Sequence, residues 1–205
     1  MRIPTIPLTL VALLVFAPPA PAQDARAAVE QFVTRLSEIT VTEMVVTQTL
    51  TLYDPKDSRQ QVTGPQRLLI KLPFPFRRTA ADLLVEWRGL GVQTEVAQTV
   101  RVGGRPVTLI GAREGDRTSS AVWLDPDYGV IRFITREEGL EGVKLLDLAF
   151  SEHRKVLAGF FYPFRQEIFL DGKLLSVTAV RNVEVNTGLP DSLFDPDALL
   201  KGASR

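Results

Sequence analysis

Residues able to do acid, base or nucleophilic chemistry are sparse in this chain and stand at no useful spacing. Its one histidine, His153, lies in the polar run Ser151-Glu152-His153-Arg154-Lys155. Such a run reads as a strand end or loop carrying a surface histidine. A paired-histidine metal motif is excluded, and Ser119, Ser120 and Ser151 lie in no Gly-x-Ser-x-Gly elbow. Asp125 and Asp127 flank Pro126 ahead of Tyr128-Gly129, a turn in which aspartate is favoured because its carboxylate accepts from nearby backbone amides. Gly103-Gly104 is a second turn signal, since no Lys-Ser/Thr pair follows to complete a phosphate loop. The absence of cysteine removes disulfides and thiolate metal sites. These residues imply no catalytic centre, no metal and no cofactor.

What the chain offers instead is aromatic side chains on strand-like segments: Phe74, Phe76, Trp87, Trp123, Phe133, Phe150, Phe160, Phe161, Phe164 and Phe169. In a curved sheet these either fill a core or line an apolar cavity that takes an acyl chain. Alternation along each strand nominates Leu68, Ile70, Phe133, Phe150, Phe164 and Ile168 as facing inward, with Trp123 as a lining or lid contact. Phe76, Arg77 and Arg78 follow a proline-rich step, where the arginines are either solvated or hold an anionic head group at the mouth.

The elements that must position these residues begin with one helix. Val29, Phe32, Val33, Leu36 and Ile39 recur at helical spacing, Arg26, Glu30, Gln31, Arg35 and Glu38 take the other face, and Asp24 is the N-cap. Strands follow: 41–53, closed by Asp54-Pro55, and 66–72, closed by the prolines at 73 and 75. Residues 80–87 fit a strand or a helix, and the valines at 92, 96 and 100 suggest a short helix. Hairpin strands are expected over 106–112, 121–124 and 130–135, then 160–170 and 173–185 joined by Asp171-Gly172, a pair that tolerates positive φ at both positions of a type I′ turn. A last short helical segment is expected near Leu199. Short turns between strands favour an antiparallel sheet. The expected class is α+β: a curved antiparallel sheet, open or barrel-like, with the N-terminal helix and short helices covering its concave face.

Arg2, the apolar segment 8–17 and Ala20-Pro21-Ala22 form the three parts of a secretory signal. Ten residues reach about 15 Å, half of a bilayer's hydrocarbon core, so this segment is read as cleaved after Ala22 and not as membrane-spanning. Residues 23–205 are expected to form one domain in an exported, periplasmic protein. Basic and acidic side chains number 24 each and are spread along the chain, which leaves no footprint for nucleic acid.

Several motifs, in order, resemble one family. Lys71-Leu72-Pro73 with Phe76-Arg77 resembles the Lys-Arg-Pro and Phe-Arg signature of the bacterial periplasmic lipoprotein carriers of the LolA/LolB-like outer-membrane lipoprotein-sorting family. Val107-Thr108-Leu109-Ile110-Gly111-Ala112, Ala121-Val122-Trp123-Leu124-Asp125 and Val130-Ile131-Arg132-Phe133 are similar to its consecutive strands. So are Phe161-Tyr162-Pro163-Phe164-Arg165, Asp171-Gly172-Lys173 and the run from Val183 to Phe194. The resemblance implies an incomplete antiparallel β-barrel covered by helices and an apolar cavity for the acyl chains of lipoproteins. It further implies an arginine near the mouth that latches the helical lid, here Arg77, with Arg67 and Arg78 as alternatives. It also implies partners among inner- and outer-membrane transport components. The alternative function is a periplasmic interaction or sensor module with the same fold and no transport.

Overall fold

Asp24 opens the first helix, α1 (Ala25–Ser37), by accepting from the Arg26 amide at 2.9 Å. The computed structural model describes residues 24–71, 78–139 and 142–195; the expected signal segment, Phe76, Arg77 and the region of Leu199 lie outside them. After α1 come β1 (Glu43–Tyr53), β2 (Gln60–Lys71), α2 (Ala80–Gly89), β3 (Ala97–Val102), β4 (Arg105–Ile110), β5 (Ala121–Asp125), β6 (Gly129–Gly139), β7 (Gly142–Leu157), β8 (Phe160–Leu170), β9 (Lys173–Val185) and a 3-10 turn at Asp191–Phe194.

The nine strands among the described residues form one antiparallel sheet in the order β2-β1-β9-β8-β7-β6-β5-β4-β3. Every neighbour in it is a hairpin partner except β1 and β9, which join the two ends of the chain. β2 and β3 stand at opposite ends and do not pair, so the curved sheet is an open barrel. The β8–β9 hairpin turns at Asp171 (φ 49°) and Gly172 (φ 76°), both positive as a type I′ turn requires.

Residues 80–87 resolve as helix because their ends are capped. Thr79 and Asp82 form a reciprocal capping box, with Asp82 N donating to Thr79 Oγ1 at 3.1 Å and Thr79 N donating to Asp82 Oδ2 at 3.0 Å. At the other end Gly91 takes φ 82°, its amide donates to the Arg88 carbonyl and that of Val92 to the Trp87 carbonyl, the paired bonds of a Schellman stop. This stop overturns the short helix expected over 92–100. Val92 is buried against the helix and Val100 belongs to β3, on the other face of the sheet, so their spacing reflects two separate cores.

α1 and α2 pack on the concave face over β4 to β6, enclosing Ala28, Val29, Leu84, Trp87, Ile110, Val122 and Leu124. The outer face of β3 to β5 carries Val100, Val107, Leu109 and Ala121. A third cluster, with Met44, Val46, Phe160, Phe164 and Val180, fills one end of the concave face between β1, β8 and β9. Arg35, expected on the solvent face of α1, is half-buried and donates to the Asp127 carbonyl in the β5–β6 turn. His153 is a correction as well: it sits inside β7 opposite Pro163, half-buried and not in a loop. Its ring stacks on Tyr128 at 4.5 Å and 3°, and the Arg105 guanidinium lies 4.4 Å from the centre of that same tyrosine ring.

Candidate ligand groove

Strand register decides which side chains share a face, because directly paired residues point the same way and neighbours along a strand point oppositely. Phe133 pairs with Leu148, Leu148 with Ile168, Ile168 with Ser176, and Ser176 with Leu52. The next row toward the other end runs Phe150, Gln166, Thr178, Leu50. Further along, Val183 and Leu68 flank Val46, and Val185 and Ile70 flank Met44. Six of the nine residues nominated from sequence therefore share the concave face: Leu68, Ile70, Phe133, Phe150, Phe164 and Ile168.

They do not share one environment. Phe164 is 7% exposed inside the third cluster, and Ile70 packs against that cluster. Phe133, Leu148, Phe150 and Ile168 are only half-buried, as are Leu50 and Leu52 across the sheet, although all six are apolar and face inward. The result is a mostly apolar groove crossing β6, β7, β8, β9 and β1, with Gln166, Thr178 and Ser176 in its floor and Leu68 exposed at the β2 end. Leu50 and Leu52 were missed from sequence, although Gln48-Thr49-Leu50-Thr51-Leu52 carries the alternation that marks them.

Trp123 does not line this surface. It pairs with Arg132, the neighbour of Phe133, and so lies on the outer face against the cluster of Val100, Val107 and Leu109. The Arg132 guanidinium stands 5.3 Å from its ring centre and donates to Asp147 at 2.9 Å. The physical reason is that β5 is apolar on both faces, so composition does not tell which of Val122 and Trp123 faces the helices.

The arginines sort in the same way. Arg67 pairs with Thr47, on the face opposite Val46, and Arg78 forms an ion pair with Glu86 on α2. The concave face instead carries Arg154, opposite Tyr162, with its guanidinium 4.2 Å from the centre of the Phe164 ring and 3.6 Å from the Glu152 carboxylate. Sequence reading overlooked it because Glu152 and Arg154 break the apolar alternation of β7. Tyr162 beside it has its hydroxyl pushed above the usual phenol range by burial, with a hydrogen bond from Gln166 acting in the opposite direction.

The buried charges in this fold are structural. Asp125 is 1% exposed and accepts from Arg105 Nε and Nη2 at 2.9 and 3.1 Å and from the amides of Asp127 and Tyr128 at 2.8 and 2.9 Å. Burial pushes its pKa up, but these four bonds outweigh burial and hold it below the usual carboxylate range. Glu43, 5% exposed, accepts from the Leu189 amide at 2.8 Å and ties the segment after β9 to β1. Among the described residues no cluster of His, Asp and Glu is placed to hold a metal ion.

A solved structure described as an outer membrane lipoprotein-sorting protein domain from Vibrio parahaemolyticus superposes with a TM-score of 0.54 at 13% identity, covering 85% of this chain and 99% of that one. A LolA superfamily protein from Nitrosomonas europaea aligns with a TM-score of 0.45 at 12% identity, over 86% of this chain and 99% of that one. No family profile matches the chain, and no curated protein is similar to it. The chain shares the fold of the Vibrio domain. No helix among the described residues is long and apolar enough to cross a membrane.

Proposed function

We propose that this protein is an exported carrier that lays an acyl chain of a lipoprotein, or of another lipid, along the concave groove and moves it through the periplasm towards the outer membrane. The observation that carries the reading is the row Leu148, Ile168, Leu52 with Phe150 and Leu50 beside it, which begins at Phe133 on the edge of the helix-covered core: apolar, inward-facing and only partly buried. Shielding hydrocarbon there contributes about 0.8 kcal/mol per methylene, so some ten buried methylenes correspond to an affinity on the order of 1 μM before ordering costs. The sorting domain with the same fold lends support. Cleavage after Ala22, with residues 23–205 acting as one unit, belongs to the same proposal.

The test is native mass spectrometry of the protein purified from its host's periplasm without detergent, followed by organic extraction. A discrete lipid or acylated-protein adduct is expected, lost in Ile168→Asp while the fold persists. A single ligand-free mass together with stoichiometric capture of one envelope protein would sink the carrier reading in favour of an interaction module.

A further inference from the structure

Polar side chains gather on the concave face where the groove meets the third cluster: Arg154 on β7, Tyr162 and Gln166 on β8, Thr178 on β9, Gln48 on β1 and Gln66 on β2. Gln166 and Tyr162 are bonded to one another, and Gln48 Nε2 donates to Gln66 Oε1 at 3.1 Å. Such bonds let polar groups stand at inward positions of a strand. A lipid in the groove meets this margin with its polar end, because hydrocarbon laid there would leave the same groups short of partners.

Arg154 is the cation of this margin, and its side chain is 58% exposed and open to a ligand. Its guanidinium lies 4.2 Å from the centre of the Phe164 ring, a cation–π contact that holds the charge over apolar surface and leaves its N–H groups to other partners. Phe164 stands two residues from Gln166, and Gln166 pairs with Phe150, so this cation lies one row, about 7 Å, from the edge of the groove. The Glu152 carboxylate is 3.6 Å away, beyond hydrogen-bond reach, and is itself 54% exposed, so water screens the pair. Among the described residues Arg154 makes no hydrogen bond. The partner that suits its planar fork is a carboxylate or a phosphate.

We propose that the groove takes a single-chain lipid with an anionic oxygen head group, carboxylate or phosphate, which accepts from Arg154 while the chain runs over Phe150, Ile168 and Leu50. This narrows the cargo of the carrier reading, on which it rests: an acyl group held by an ester or amide brings no charge to Arg154, whereas a fatty acid or a monoalkyl phosphate does. Glu152 then competes with the ligand for the guanidinium and limits how firmly the head group is held.

The probes are decanoate, decyl phosphate and 1-decanol, which share a chain and differ in head group, added below their micelle concentrations and followed by amide NMR of the purified protein. Both anions should shift Phe150, Arg154 and Ile168 with a Kd on the order of 10–100 μM, and the tighter of the two names the head group of the natural cargo. Decanol should shift Phe150 and Ile168. Arg154→Gln should weaken both anions about tenfold, the loss of a charge-assisted hydrogen bond, and leave decanol unchanged. Glu152→Gln should tighten the anions about threefold, again without effect on decanol. Lys173→Gln, at the far end of the same face beside Leu170, should change none of the three. Equal effects of Arg154→Gln on the anions and on decanol would overturn the proposal, as would a loss of anion binding that follows Lys173 instead. In both cases the probes still occupy the groove and the carrier reading stands. No shift at Phe150 or Ile168 with any probe would sink the carrier reading and this proposal with it.

Discussion

The two halves of this sheet carry the same alternation and differ in what lies over it. Over β4 to β6, α1 and α2 exclude water so completely that Ile110 and Val122 are 0% exposed and Leu124 is 2% exposed. Over β7, β8, β9 and β1, residues of the same kind on the same face, Leu148, Ile168, Leu50 and Leu52, are only partly buried. Apolar surface kept accessible forgoes hydrophobic stabilisation, and in a folded chain a contiguous patch of it marks a binding surface. The covered half provides rigidity, and the bare half keeps surface available for a ligand.

Truncation on the two sides should break this symmetry most clearly. Trp87→Ala, under the helices, is expected to cost about 3–5 kcal/mol, whereas Leu148→Ala in the groove should cost well under half of that, read as midpoints of urea unfolding with unchanged slope. Equal losses would mean that the groove is as well packed as the covered core. Gly111→Ala comes next. Gly111 takes φ 96°, and an added Cβ would sit 2.6 Å from both Val92 Cγ1 and the Ser120 carbonyl. Strain and overpacking together predict a loss of about 2–4 kcal/mol, visible in a thermal melt of the covered half. Thr79→Ala removes one arm of the capping box and should cost about 1 kcal/mol, with hydrogen exchange accelerated first in the opening turn of α2.

The smallest effect concerns pH. Burial lowers the pKa of His153, the nearby Arg105 charge lowers it further, and Asp125 opposes them. The unfolded chain therefore takes up the proton at higher pH than the folded one. Stability should be full above about pH 6.5, the unfolded value, and decline as pH falls through that value towards the depressed folded one. His153→Phe should flatten this slope and keep the stack on Tyr128. An unchanged slope would assign it to other groups.

Legibility from sequence followed how local the deciding interaction was. Asp24, the Asp171-Gly172 turn and the strands at 160–170 and 173–185 were readable because capping and turn chemistry act within a few residues. α2 stayed open between strand and helix over 80–87, although Thr79-x-x-Asp82 is the capping box that marks its start. Trp123 and Arg154 were not. The first sits where both faces are apolar, and the second interrupts a strand whose pattern resumes beyond it.

By itself, then, the sequence determined the leading helix, the hairpins that turn at 125–129 and at Asp171-Gly172, and six of the side chains sharing one face of the sheet, since period and turn geometry are local properties of the backbone. Only the tertiary structure decided which part of that face is sealed, that Trp123 faces outward, and that Arg35 reaches the Asp127 carbonyl. Those outcomes depend on where α1 and α2 come to rest over strands far away in the chain, a choice made by packing among distant segments.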